Sequence, residues 1–405
     1  MQAVSSQLFS ARPPAAAKPQ TYDLIVTGTG VQDLVSFSNR SDLEVRAQLE
    51  LIGGLAIRAD QAGLEALEQF CQSHQGVKVF EDAPVEIIRP IEEEISPLLD
   101  TGAPTIRADE LWAQGITGKG VTVAVIDTGI APHPDIRDRI IGFHDLVNGR
   151  SEPYDDQGHG THVAGTVAGD GKMSDGVFKG AAPEASLVGV KVLDGSGRGK
   201  FSDIIRGIQW AVENKDRLGI RAMNLSLGGR ASKSYKDDPV AQAITAAAGA
   251  GIVPCVAAGN SGPGSRTIGT PAHALDALTV GADDDRATRD ISDDRVANFS
   301  SRGPTPVDGL TKPDVIAPGV NITAADNRSN GYRTLSGTSM ATPMTAGVVA
   351  LLVQAHPEAR VQDIKTALMD TARPLDSGGN ANQQGSGLID AVEAHRRLMT
   401  APEPQ

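Results

Sequence analysis

Apolar and polar positions along the chain follow two patterns, and the change falls near residue 107. Upstream, YDLIVTG (22–28), the LAIRAD run after Gly53-Gly54, and VKVF (77–80) read as strands bounded by turn residues. Between them, Ala62 to His74 carries Leu64, Leu67 and Phe70 at helical spacing. Strands and a helix of these lengths predict a small α+β unit over 21–88. A polar Pro/Ala-rich tail, 1–20, precedes it and predicts disorder. An acidic, proline-broken linker, 89–106, follows it.

Downstream, near-continuous apolar runs alternate with helical stretches. VTVAVID (121–127), SLVGVKVL (186–193), AMNLSL (222–227), IVPCVAA (252–258) and ALTVGA (277–282) read as buried strands. Gly160–Ala168, Ser202–Asn214 and the Ala-rich Asp238–Gly251 read as helices, the second with Ile204, Ile205, Ile208 and Trp210 on one side. This alternation predicts an α/β fold over 107–400, a parallel central sheet with helices on both faces. Functional groups in such sheets collect at the carboxyl ends of the strands. No internal repeat is present.

Composition narrows the function. The 405 residues carry 37 Lys and Arg against 50 Asp and Glu, a net charge of −13. That balance argues against nucleic-acid or anionic-membrane partners. The longest apolar stretch, Ala243–Gly259, is rich in Ala and Gly and broken by Pro254, so no membrane span is expected. Cys71 and Cys255 lie far apart, which excludes a disulfide framework; Cys255 reads as a small buried hydrophobe. The N-terminus lacks an apolar stretch behind a basic start, so the expectation is a cytoplasmic protein, with secretion as the alternative.

Three polar residues punctuate the α/β region. Asp127 ends the strand VTVAVID, His159 opens a helix in Gly-His-Gly-Thr-His, and Ser339 opens another in Gly-Thr-Ser-Met-Ala-Thr-Pro. A serine hydroxyl needs a base to take its proton. An imidazole can do so near neutral pH, and an ionised carboxylate fixes its tautomer. The set therefore points to acyl transfer. Negative charge developing on the attacked carbonyl needs donors. The start of the Ser339 helix supplies one, and Asn260, ending the strand IVPCVAA, is the second candidate.

The segments VAVIDTGI, HGTHVAGT, SLGG, AAGNSGP and SGTSMATP resemble the subtilisin-like serine peptidases, the subtilases, over about 107–395. DPVAQAI, NFSSRGP and KPDVIAPGVNI are most similar to the AprX-type bacterial branch. The resemblance implies a serine endopeptidase with Asp127 as orienting acid, His159 as general base, Ser339 as nucleophile and Asn260 as oxyanion donor. It implies that Gly197 and Ser226-Leu227-Gly228 pair with the substrate backbone, that Gly228, Ala257, Gly259 and Gly269 line the pocket before the cut, and that Phe201 lines a distal apolar subsite. Such a small, uncharged pocket suits large apolar side chains. The 21–88 unit resembles a subtilase propeptide, which implies a self-processing zymogen whose own propeptide is an intramolecular partner. Leu98 and Leu99, in the 89–106 maturation region, are the expected residues before the cut. Protein or peptide substrates, a monomer, and catalysis without a cofactor complete the expectation. Where the family often has His after the proline of the serine motif, this chain has Met344, read as packing.

Other readings fit less well. A lipase or esterase of the α/β-hydrolase type needs G-x-S-x-G and the order Ser, Asp, His; here the order is Asp, His, Ser. A non-catalytic scaffold would be signalled by a missing triad member. His162 lacks metal-binding companions and reads as a packed core histidine. Gly28-Thr29-Gly30 lacks the third glycine of a dinucleotide turn, and Gly195–Lys200 ends in Phe201 where a phosphate loop needs Ser or Thr. Structural calcium could be held by the acidic stretch from Asp283 to Asp294, or around Asp170 and Asp175.

Overall fold

The structure is a computed structural model that describes residues 20–37, 43–92, 102–375 and 379–400. The tail 1–19 and the pair Leu98-Leu99 lie outside the described residues.

Four strands build the N-terminal unit: β1 (Tyr22–Thr27), β2 (Leu43–Leu49), β3 (Gly54–Ala59) and β4 (Lys78–Glu81). They form an antiparallel sheet in the order β2-β3-β1-β4. The helix Gln61–Ser73 covers one face with Leu64, Leu67 and Phe70, and Asp60 caps it by accepting the Gly63 N–H at 2.9 Å. The sheet's other face is shared: Ile25, Leu49, Ala56 and Phe80 join one hydrophobic cluster with Ile204, Ile205, Ile208 and Ile244 of the larger unit. Asp82 reinforces this junction by accepting Ser202 N–H at 2.8 Å and Ser202 Oγ–H at 2.7 Å, at the start of the helix Phe201–Glu213.

The unit's own sheet ends at Glu81, short of the expected boundary at 88. Two further strands, β5 (Pro84–Ile87) and β6 (Ile91–Glu92), leave it and run along the larger unit.

That larger unit is centred on a mostly parallel sheet of β7 (Thr122–Asp127), β8 (Ile140–Asp145), β9 (Ser186–Lys191), β11 (Ile220–Leu225), β13 (Val253–Ala257), β14 (Leu278–Asp284) and β16 (Val315–Pro318). The order is β8-β9-β7-β11-β13-β14, with β16 and the short antiparallel β15 (Arg295–Val296) both on β14. All six residues of β7 are buried, as expected for a strand covered on both faces. The chain passes from β7 to one side of it and later returns to the other, so strand order reverses there. A crevice opens at the carboxyl end of β7, where α/β sheets bind ligands.

Two short strands, β10 (Arg198–Lys200) and β12 (Leu227–Gly228), flank that crevice, and a hairpin of β17 (Ile322–Ala325) and β18 (Tyr332–Ser336) closes its far end. The helix Thr338–Ala355 is apolar all round and passes through the interior, with 338–353 buried. It is long and apolar enough to cross a membrane, but 89% of that stretch is buried inside the protein.

Candidate active site

Asp127 is the last residue of β7 and His159 the first of the helix His159–Ala168. The end of that strand and the start of that helix meet: His159 Nδ1 lies 2.8 Å and 3.0 Å from the two carboxylate oxygens of Asp127. Asp127 also accepts the Thr128 N–H at 2.7 Å. The approach is close enough to demand glycine at 160, since a Cβ there would sit 2.1 Å from the Gly129 carbonyl oxygen. The other ring nitrogen, His159 Nε2, is buried with no hydrogen-bond partner among the described residues.

Two residues that hold this pair escaped the sequence reading. Asp155 accepts the N–H groups of Gln157, Gly158 and Thr161 and the hydroxyls of Thr128 and Thr161, so one carboxylate ties the start of the His159 helix to the residue after Asp127. Lys191 ends β9 beside Asp127, in register with it, and is fully buried. Its three ammonium hydrogens go to Thr128 O (2.6 Å), Asp156 Oδ1 (2.7 Å) and Leu193 O (2.8 Å). The Asp-x-x-Gly-His spacing and the lysine closing an apolar run were the available signals.

Ser339 is the second residue of its helix and fully buried. Pro343, four residues on, has no N–H to give back to the Ser339 carbonyl. Ser226 Oγ fills that gap, donating to Ser339 O at 3.1 Å, while Asn224 Nδ2 donates to Ser226 Oγ at 3.0 Å. The backbone under the nucleophile candidate is thus fixed from the neighbouring strand. Asn260 is oriented by its oxygen, which accepts Thr338 N–H (3.0 Å) and Thr338 Oγ–H (2.9 Å), leaving its amide hydrogens toward the cleft.

The cleft holds a segment of the same chain. β5 lies between β10 and β12, antiparallel to both: Val85 pairs with Gly199, Glu86 with Arg198 and Gly228, Ile87 with Leu227. Ile87 N–H donates to Gly197 O (2.9 Å) and Ile88 N–H to Ser226 O (3.3 Å). A Cβ at Gly197 would lie 2.9 Å from Ile87 Cγ1. Ser339 Oγ donates to Ile88 O at 3.0 Å and to Ser226 O at 3.3 Å, and Asn260 Nδ2 donates to Arg89 O at 3.0 Å. Beyond, β6 pairs with β18, Ile91 against Ser336 and Glu92 against Leu335. The residues at Ser339 are therefore Ile88 and Arg89, ten positions upstream of the expected pair.

Gly228, Ala257, Gly259 and Gly269 line one cavity of about 630 Å³ beside Ile88. Arg230 and Arg266 also line it, so the pocket is not wholly uncharged as the sequence suggested. Phe201 lines a second cavity of about 800 Å³ with Val85 and Gly229. Ser339 and Asn260 thus meet the segment held between β10 and β12, the pocket candidates line the two cavities along it, and Asp127 pairs with His159 at the end of β7, the strand next to β11, which leads into Ser226.

The remaining candidates lie apart. His162 Nε2 donates to Ile322 O and Arg333 O at 3.1 Å each, and burial pushes its pKa down to about 3, so it stays neutral. In the Gly195–Lys200 turn, the amides of Ser196 and Arg198 bind Asp194, which leaves them no phosphate to hold. Asp170 accepts the Lys172 N–H, and Asp135 accepts Met173 N–H and Tyr332 O–H. Asp283 and Asp294 are buried, and their carboxylate oxygens lack donors. Burial raises both carboxyls, and the charge of Asp294 raises Asp283 further. Among the described residues no three acidic, His or Cys side chains converge on a metal position.

A carboxylate paired with an imidazole at the carboxyl end of a parallel sheet, and a serine and an amide on consecutive carbonyls of one extended peptide, are the groups of a serine-hydrolase cleft. Residues 118–387 match the subtilase family, and the chain belongs to that family and is a serine peptidase, a hydrolase that uses no cofactor for catalysis. It is 47% identical to the serine protease AprX of Bacillus subtilis (strain 168) over 322 residues, covering 74% of this chain and 72% of that one. M-protease of Shouchella clausii (strain KSM-K16) is 37% identical over 366 residues, 90% of this chain and 84% of the relative. Subtilisin Savinase of Lederbergia lenta is 41% identical over 295 residues, 73% and 98% respectively. Fervidolysin from Fervidobacterium pennivorans, a keratinolytic enzyme related to subtilisin, shares the fold, with a TM-score of 0.76 at 24% identity. That match covers 97% of this chain and 63% of fervidolysin. The names of these relatives give no compartment, and the cytoplasmic expectation gains no support from them.

Proposed function

We propose that this chain is the zymogen of a serine endopeptidase in which Ser339 is the nucleophile, His159 the general base and then acid, Asp127 the orienting carboxylate and Asn260 an oxyanion donor. The observation that carries the reading is the convergence of Ser339 and Asn260 on consecutive carbonyls of one extended segment, at the carboxyl end of the strand that holds Asp127 against His159. His159 Nε2, free of other partners, would take the Ser339 proton as Oγ bonds to the substrate carbonyl carbon. Asp127 would hold Nδ1–H and stabilise the imidazolium. The negative oxygen of the tetrahedral intermediate would accept the Asn260 amide hydrogen. His159 would then protonate the departing amine, leaving an acyl-enzyme, and water would repeat the sequence to free the acid.

The substrate would bind as β5 does, completing a sheet between β10 and β12, so that main-chain bonds give affinity and pockets give preference. The glycine- and alanine-lined cavity favours large apolar side chains before the cut, and Arg230 and Arg266 oppose a cationic one. The 21–88 unit acts as the intramolecular propeptide, docked through Asp82 and the shared core. The enzyme acts as a monomer on protein or peptide substrates.

The test is hydrolysis of a peptide series varied at the residue before the cut, by wild type and Ser339→Ala, with a serine-directed phosphonate. Wild type should cut after Leu and Phe ahead of Lys and Arg, and should label at Ser339 alone. Ser339→Ala should do neither; hydrolysis retained by that variant removes Ser339 from the mechanism.

A further inference from the structure

We propose that the bond this enzyme cuts in its own chain is Ile88–Arg89, and that Pro90 delays the cut by setting the two sides of the cleft one residue out of register. The proposal rests on the catalytic reading above. On the upstream side, Ile87 N–H on Gly197 O, Ile88 N–H on Ser226 O and the pairing of Glu86 with Gly228 bring the Ile88 carbonyl to Ser339. On the downstream side, Ile91 against Ser336 and Glu92 against Leu335 bring the next carbonyl, that of Arg89, to the Asn260 amide. The carbonyl that touches the nucleophile therefore lacks the oxyanion donor. The carbonyl that has the donor belongs to a bond whose nitrogen is the Pro90 ring nitrogen. Ser339 spends its hydroxyl hydrogen on Ile88 O and Ser226 O, and His159 Nε2 has no partner among the described residues.

The two registers are unequal in strength. Upstream, β5 is bonded along both edges. Downstream, β6 pairs at two positions on one edge, and Ile91 is 44% exposed. Release of β6 is the smaller disruption, and it frees the Ile88 carbonyl to turn into the Asn260 donor. The step then balances: Ser339 Oγ bonds to the Ile88 carbonyl carbon as its proton passes to His159. The Ile88–Arg89 bond breaks as His159 gives that proton to the Arg89 nitrogen. Water cleaves the acyl ester, leaving an Ile88 carboxylate.

The experiment follows the full chain by mass spectrometry from the moment of refolding. Wild type should yield fragments ending at Ile88 and beginning at Arg89. Deleting Pro90 moves the Ile88 carbonyl to Asn260 while Ile91 keeps its place at Ser336, so the same bond should be cut at least about tenfold faster, given that an oxyanion donor contributes roughly 10²–10³ in rate. Pro90→Gly, which loosens the same link without shortening it, should accelerate the cut several-fold. The same two changes in the Ser339→Ala chain report folding by thermal melt. A mature N-terminus elsewhere, after Leu98 or Leu99 for instance, overturns the proposal, as does an unaltered or slower cut in both well-folded variants. A chain that hydrolyses added peptide but never cuts at 88 sinks this proposal alone. Peptide hydrolysis by Ser339→Ala sinks the catalytic reading beneath it.

Discussion

The link between Pro343 and Ser226 gives a sharp prediction. Ser226→Ala removes the hydroxyl that donates to the Ser339 carbonyl at 3.1 Å and accepts from Asn224 at 3.0 Å. Because Pro343 offers no N–H, the Ser339 carbonyl is left buried and unpaired, at a cost of about 1–3 kcal/mol. For a catalytic unit of this size that corresponds to a fall of about 2–4 °C in melting temperature per kcal/mol. Pro343→Ala restores the helical donor four residues on. In that background Ser226→Ala should cost at least about 1 kcal/mol less, a coupling expected of neighbours that share one acceptor. All four chains are compared in the Ser339→Ala form, which prevents self-digestion, by urea titration and thermal melt. Strictly additive effects would refute the idea that Ser226 substitutes for the donor missing at Pro343.

Other outcomes follow from the same geometry. Asn260→Leu should lower kcat by roughly 10²–10³ with KM little changed, checked on a peptide substrate after maturation; unaltered turnover would remove Asn260 from the oxyanion role. Asp82→Ala strips two hydrogen bonds from the start of the Phe201–Glu213 helix and should destabilise the unprocessed chain by about 0.5–2 kcal/mol, measured by melting in the Ser339→Ala form; an unchanged melt would remove Asp82 from the junction. Asp283 and Asp294 have carboxyls raised by burial above the ordinary value, so the stability they confer is full below about pH 4 and is lost as pH rises through the folded-state values, about 7 for Asp294 and about 9 for Asp283. Asp283→Asn should flatten that alkaline loss in a pH series of melts. Lys191→Met leaves two buried carbonyls unpaired, each costing about 1–3 kcal/mol, and should lower both melting temperature and kcat.

The parts of this molecule that could be read in advance are those whose burial is uniform. β7 is apolar because helices cover both its faces, and the Phe201–Glu213 helix shows its buried stripe at Ile204, Ile205 and Ile208. Its start at 201, one residue before the expected 202, and the end of β9 at Lys191, short of 193, are boundary effects. β8 escaped notice because most of it is half-buried and it includes His144. β5 escaped for a different reason: Val85 and Ile87 alternate with Pro84 and Glu86, a clear period of two, but its partners lie more than a hundred residues away. The site residues were legible because each occupies a strand end or helix start marked by glycine. Their supports, Asp155 and Lys191, left only faint marks, an Asp-x-x-Gly-His spacing and a lysine closing an apolar run, because most of their bonds go to backbone groups.

Withdrawing β5 has a consequence for what the mature enzyme can attack. It would leave two facing edges, at Arg198–Lys200 and at Leu227–Gly228, parted by the width of a single strand and rich in unanswered amides and carbonyls. Only a polypeptide stretched flat over several residues can fill that slot, and a helical or compact loop cannot. A folded protein would then be degraded at the pace at which it lets a segment peel away, so digestion rates across a panel of substrates should rank by their local opening equilibria more than by their residue content.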